Sequence, residues 1–314
     1  MKPKHIILSA LLLAAKATFA QKADTAKLIV HYQFTHVRDT LNKDKPYTEN
    51  MMLLVGANAS VYKSLDRKLR SAQMQADLAK QMKESAGGPQ NFNVNMKGNA
   101  GTTTEYFYFL NEHKAFRKEQ VFNSYIIEEP AVAPQWKISN DTLTIGGYHC
   151  QKASTHFKGR DYTAWFCADL PFHAGPWKLN GLPGLILQAA DTKNEIVFKF
   201  DGTETVDTTV KTAVADAAPM PGVKVFVLGD ANNGNGNIPD YMIALPEKGI
   251  RSTEKELARL KEMRDKDPQA FIQSAVAGSG MVVPGGQGPV IKIQSAPNSV
   301  KPVNNNPIEL DEKK

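Results

Sequence analysis

Apolar and polar residues alternate through the first two-thirds of the chain. Leu28, Val30, Tyr32 and Phe34 fall on one face of an extended segment and their neighbours on the other, which is the period of a strand. The same alternation predicts strands at 51–55, 104–110, 115–119, 121–128, 142–145, 148–157, 162–168, 185–190 and 195–206. Turn residues separate several of them, as in Asn111-Glu112-His113 and Ser139-Asn140-Asp141. Short consecutive strands joined by tight turns predict an antiparallel meander rather than a parallel sheet.

Two segments break this period. Leu65, Leu69, Ala72, Ala76, Ala79 and Met82 recur at helical spacing, and Gly87-Gly88-Pro89 ends the run,. A second helix is expected to start at Ser252 or Thr253, where Thr253 and Glu256 form a capping-box pattern, and to stop before Pro268,. Its many charges predict a solvated surface helix. From 278 to 307 the chain is rich in Gly, Pro, Asn and Ser and lacks periodicity, apart from a strand candidate at 290–293. It reads as a flexible segment. The expected organisation is a leader at 1–20, a single β-rich domain at 21–277, the flexible segment at 278–307, and a tail at 308–314.

One motif stands outside any period: Gly181-Leu182-Pro183-Gly184-Leu185-Ile186, preceded by Gly175-Pro176-Trp177-Lys178-Leu179-Asn180. It holds no acid, base, nucleophile or metal ligand. Leu182-Pro183-Gly184-Leu185 fits a type II turn, with proline fixing φ at the second position and glycine supplying positive φ at the third. Two readings follow. The leading one is a rigid corner that packs Leu182, Leu185 and Trp177 into the core, and the other is an apolar lip in which those three residues line a ligand groove.

With this motif the chain resembles the GLPGLI family of secreted bacterial proteins, found mainly in Bacteroidetes. The resemblance extends to 136–145 with Gly147-Tyr148-His149-Cys150-Gln151-Lys152-Ala153, to Gly159-Arg160-Asp161-Tyr162-Thr163-Ala164-Trp165-Phe166, to Asp169-Leu170-Pro171, and to Asn306-Pro307-Ile308-Glu309-Leu310. It is strongest between Trp136 and Ala190, and 229–240 and 278–302 read as local insertions. The resemblance implies a role beside outer-membrane transport systems and carries no catalytic residues.

Composition adds a destination. Lys2 and Lys4, the apolar stretch 6–15 and Thr18-Phe19-Ala20 have the layout of a secretory signal peptide cleaved after Ala20,. The apolar stretch is shorter than the roughly 20 residues a spanning helix needs. Without Lys2, Lys4 and Lys16, the 38 basic residues become 35 against 32 acidic ones. So small and interspersed an excess argues against nucleic-acid binding. The expected protein is exported to the periplasm or outer membrane, without a transmembrane segment.

Cys150 and Cys167 are the two cysteines. If Lys158-Gly159 forms the loop of a hairpin, they oppose each other, and at a non-hydrogen-bonded pair they are close enough to bridge. An oxidising compartment favours the bond, whereas a one-residue slip would leave two free thiols. Metal chemistry is weakly signalled: His31 and His36 take opposite faces of a strand, His149 points away from Cys150, and Met51, Met52, Met74 and Met82 read as core. The run 230–236 lacks the glycine and the final acid of a calcium loop,. No Gly-Lys-Ser/Thr, Gly-x-Ser-x-Gly or Cys-x-x-Cys pattern occurs,. Asp161, Asp169, Asp191 and Glu195 read as solvated strand ends. No cofactor is expected.

These readings predict an α+β protein dominated by one strongly bent antiparallel sheet, with one or two helices packed on its concave side. The shape expected is the half-barrel of periplasmic lipoprotein carriers, by analogy of fold alone. The leading functional expectation is a non-enzymatic binding or accessory protein for an apolar ligand, a peptide or an outer-membrane transport component. A hydrolase with dispersed catalytic residues and a structural envelope component are the alternatives.

Overall fold

Alternation along β2 (Leu28–His36) and β3 (Tyr47–Val55) builds two cores at once. Leu28, Val30 and Tyr32 with Met51, Leu53 and Val55 bury one face, while Ile29 with Met52 and Leu54 bury the other. Both strands therefore sit at the centre of a sheet covered on both sides, as an unbroken apolar run such as 51–55 requires.

The computed structural model describes residues 22–84, 101–206, 239–247, 249–271, 274 and 303–312. The leader at 1–20, the strand candidate at 290–293, the insertion at 278–302 and most of that at 229–240 lie outside the described residues. The remaining elements are β1 (Asp24–Thr25), β4 (Ala59–Ser64), α1 (Leu65–Glu84), β5 (Glu105–Phe109), β6 (Lys114–Gln120), β7 (Ser124–Glu129), β8 (Lys137–Ile145), β9 (Tyr148–Phe157), β10 (Arg160–Cys167), β11 (Leu185–Asp191), β12 (Ile196–Thr205), β13 (Met242–Ile243), β14 (Ile250–Arg251) and α2 (Glu254–Lys266).

Twelve strands form one sheet in the order β14-β7-β6-β5-β4-β3-β2-β12-β11-β10-β9-β8, and β1 pairs with β13 separately. Every neighbouring pair is antiparallel except β14–β7. The sheet is large, bent and unclosed. Irregular registers at Trp165/Phe166 in β10, Phe200/Gly202 in β12 and Ile138/Thr142 in β8 are the usual means of bending a sheet. Among the described residues no helix is long and apolar enough to cross a membrane.

Three details depart from the sequence reading. Ala59–Ser64 is a six-residue strand, β4, that no alternation announced, because Ala59, Ser60, Val61 and Tyr62 are all buried. Ser139-Asn140-Asp141 is an irregularity within β8 and not a turn before it. The apolar stripe of α1 does not pack as expected: Leu69 is 59% exposed, and Ala72 and Ala76 are exposed too. The helix is tied down at its start, where Asp66 accepts from the Asn50 backbone and side chain. By contrast, α2 has the expected Thr253–Glu256 capping box and buries Leu257.

The hairpin β9–β10 has the register the cysteine spacing required. Phe157 faces Arg160 and each later pair follows in step to Gln151 and Phe166. Lys158 and Gly159 form the loop with φ of 53° and 73°, both positive as a type I′ turn demands. Cys150 and Cys167 are bonded, with Cα atoms 4.2 Å apart. In the chain-entropy model a loop of this size is worth about 3 kcal/mol.

Candidate functional site

The glycines and leucines of the 181–186 motif act inside the core. Leu182, Leu185 and Ile186 are buried in the larger apolar cluster with Trp177 and Leu179. The backbone is pinned from several sides: Leu185 N–H donates to the Leu170 carbonyl and Ile186 N–H to the Ala174 carbonyl, each at 3.0 Å. The buried Tyr32 hydroxyl donates to the Ile186 carbonyl at 2.6 Å, and the Trp136 indole to the Asn180 carbonyl at 2.8 Å.

The turn itself differs from the expected type II geometry. Positive φ falls on Gly181, at 88°, and not on Gly184. The Gly184 N–H donates to the Leu182 carbonyl at 2.8 Å, the short closure of a γ-turn around Pro183. Gly184 is needed for a different reason: a Cβ there would lie 2.4 Å from the Cys167 carbonyl oxygen. Gly184→Ala therefore has to push backbone away from the cystine, at an expected cost of about 1 to 3 kcal/mol. Thermal unfolding checks this, and an unchanged melting temperature would contradict the close-approach account.

Trp177 belongs to the core cluster and also lines a cavity, together with Gly175, Lys178 and Asn180. Its φ is 56°, a conformation rare for a bulky side chain. It holds the second position of the turn closed by Leu179 N–H on the Pro176 carbonyl. Such a backbone costs on the order of 1 to 3 kcal/mol, offset here by packing against Phe157 and Tyr162 at 5.9 and 6.2 Å between rings. Leu182 and Leu185, which the corner reading puts in the core and the lip reading puts beside Trp177 on a groove, are buried and do not line this cavity.

The cavity is an open groove of about 490 Å³. One wall comes from β4 to β7, through Tyr62, Tyr106, Tyr108, Arg117, Ile127 and Glu129. Phe157, Lys158, Trp177, Lys178, Asn180, Val132, Glu254 and Glu309 complete the lining. Strands far apart in sheet order share this space because the sheet bends.

Its three cations, Arg117, Lys158 and Lys178, are paired. Lys178 Nζ lies 2.7 Å from Glu129 and 2.6 Å from Glu309, and Lys158 lies 3.3 Å from Glu309. Arg117 contacts Glu119, Glu129 and Glu254. Burial alone would raise the Glu309 pKa, but the hydrogen bond and charge of Lys178, with Lys158 behind, outweigh it and hold the carboxyl below its usual range. Three polar atoms have no such partner: the Tyr62 hydroxyl, the Trp177 indole N–H and the Asn180 side-chain amide oxygen are buried and unpaired. Burial pushes the Tyr106 phenol well above its usual pKa, and Arg117 and the Trp177 indole oppose that rise without cancelling it.

Behind this groove is a buried ionic cluster that the sequence reading placed in solvent. Asp191 and Glu195 are buried, and so is Arg160 between them. All five guanidinium donors are used: on Asp191 at 2.8 Å, Glu195 at 3.4 Å, the Asn306 side chain at 2.6 Å, and the Pro307 and Ile308 carbonyls at 2.7 and 3.0 Å,. Asn306 donates in turn to Val37 and Glu195, and the His36 Nε2 donates to the Asn306 carbonyl at 2.7 Å. Burial, followed by Arg38 and Arg160, depresses the His36 pKa, so the ring is neutral at pH 7. The cluster fixes residues 305–310 across the fold and so brings Glu309 to Lys178. No local pattern could announce it, since Arg160 and Asn306 are far apart in sequence.

Among the described residues no group of three or more His, Cys, Asp or Glu side chains could hold a metal ion. The His156 imidazole lies between Asp161 at 2.6 Å and Glu312 at 3.1 Å on the exposed surface, away from the groove lining.

Residues 102–219 match the family model described as the N-glycanase peptide, N-terminal domain. That stretch includes β5 to β12, the cystine, Trp177 and the 181–186 motif. Two solved structures of PNGF-II, in the P21 and C2 space groups, are similar at 14% and 12% identity, with TM-scores of 0.39 and 0.38. The match covers 58% and 57% of this chain and 29% and 28% of theirs, so this chain spans under a third of their length. No curated protein matches the chain. Over residues 102–219, the chain is similar to the N-terminal domain of an N-glycanase.

Proposed function

We propose that this is an exported, non-enzymatic binding or accessory protein of the GLPGLI type, and that its ligand sits in the groove beside Trp177. The observation that carries this reading is the open groove of about 490 Å³ with Tyr62, Tyr106, Tyr108 and Trp177 in its lining. The bent sheet would serve as the half-barrel wall of a carrier, with an outer-membrane transport component as the partner receiving the ligand.

Binding is favoured over hydrolysis by the state of the acids. A glycosidase-like or protease-like site needs a carboxyl or imidazole free to move a proton. Glu129 and Glu309 are instead held by Lys178, Glu309 is kept ionised, and the groove lining contains no histidine or cysteine. The similarity to a domain described as N-terminal also fits an accessory module.

Native mass spectrometry of protein isolated from its own envelope tests the reading. The expected species is a chain beginning at Gln21 with a reproducible bound mass. A bare chain, or one retaining Met1 to Ala20, would contradict binding or export respectively.

A further inference from the structure

We propose a second binding site, on the other face of the sheet from the groove, that takes a small oxyanion (a carboxylate or phosphate group) at Lys63. Tyr62 faces Tyr106 across β4 and β5, and both line the groove. The next position on each strand sets Lys63 beside Glu105 and turns both to the opposite face. Lys63 stands across from Met52, Glu105 across from Lys118, and Lys118 across from Ile126. Met52 and Ile126 belong to the smaller apolar cluster. Two lysines and one carboxylate thus form a row between apolar ends.

The charges in this row do not balance. Lys118 Nζ lies 2.7 Å from Glu105 with its side chain only 2% exposed, so that carboxylate is taken. Lys68 lies 3.3 Å from Asp240. Among the described residues Lys63 makes no ion pair and no hydrogen bond. Arg67, fixed on the Gln120 side-chain oxygen at 2.6 Å, adds positive charge from α1.

The neighbouring groups register this excess. Burial would raise the Glu105 pKa, but Lys118 and Lys63, with Arg67 behind them, hold it below the usual carboxylate range. For Lys63 burial acts first and lowers the pKa; Lys68 and Lys118 add to that, against the pull of Glu105 and Asp240. An ammonium held charged in such surroundings is stabilised by an anion from solvent. Access is open: Lys63 is half-buried, its Nζ is not among the enclosed unpaired atoms, and the neighbouring Lys68 and Asp240 side chains are 35% and 54% exposed. One unmatched ammonium calls for one negative charge, which a carboxylate supplies. A phosphate brings a second, for which Lys68 and Arg67 are the nearby cations.

The test titrates the purified chain with sodium acetate or sodium phosphate, chloride keeping the ionic strength constant so that screening does not change. Brief acetylation with acetic anhydride, followed by peptide mass spectrometry, reads Lys63 directly. In chloride Lys63 should be labelled faster than the enclosed Lys118, and at least one of the two anions should slow it several-fold. The same anion should raise the melting temperature by about 3 °C at roughly ten times its Kd. Lys63→Met removes the unmatched charge, so it should melt no lower than wild type in chloride and lose the anion-dependent rise, whereas Lys63→Arg should keep that rise. A response to acetate alone identifies a carboxylate site, and a response to phosphate alone identifies a phosphate site. Lys63 labelling unaffected by either anion, or a rise that survives in Lys63→Met, would overturn the proposal.

Discussion

Arg160→Met lowers the stability of the chain by about 3 to 5 kcal/mol, the range for removing one partner of a buried ion pair. The reason lies in what remains behind. Asp191 and Glu195 stay buried with their cation gone, and Lys43, which reaches Glu195 at 3.2 Å, is itself largely exposed. Asn306 and the Pro307 and Ile308 carbonyls lose their donor at the same time. Chemical denaturation measures the loss, and limited proteolysis should show 305–310 cut first. Arg160→Lys keeps the charge but cannot fill five acceptor positions, so it should recover only part of the difference. Wild-type stability in Arg160→Met would mean that the cluster does not hold the C-terminal segment.

Leu185→Ala is the second large effect, at about 2 to 5 kcal/mol. Leu185 is completely buried, opens β11 opposite Cys167, and packs in the cluster that contains Trp177 and Leu182. Truncation leaves a cavity where the cystine, the 181–186 turn and β10 meet, with little freedom to collapse. Below its lowered melting temperature the variant should still capture ligand, because Leu185 does not line the groove. A variant as stable as wild type but unable to bind would return Leu185 to the ligand surface.

Much of the sheet was legible because alternation is a local signal. Tyr148–Phe157 emerges as β9 with the boundaries its pattern predicts, and the cystine follows from the two-residue loop at Lys158-Gly159. What alternation cannot show is burial on both faces. Ala59–Ser64 was hidden for that reason, and α1 shows the converse, an apolar stripe that finds little to cover.

The site was less legible than the fold. The 181–186 motif announces a fixed backbone, but close approach at Gly184 and positive φ at Gly181 look alike in a sequence. Asp191 and Glu195 look like any acids at strand ends until a buried arginine is placed between them. The Tyr62 hydroxyl and the Asn180 side-chain oxygen lack partners, a property no single sequence displays. Trp177 was singled out as a candidate, and its place on the groove wall depends on a turn whose sequence carries no glycine.

Amide hydrogen exchange with and without the co-purifying ligand tests most directly whether the groove beside Trp177 is where the protein binds. The account predicts slowed exchange in 106–108, 127–132 and 175–180, the three segments that converge there. Protection confined to β8, where Ile138 and Leu143 are exposed at the far edge of the sheet, would contradict it.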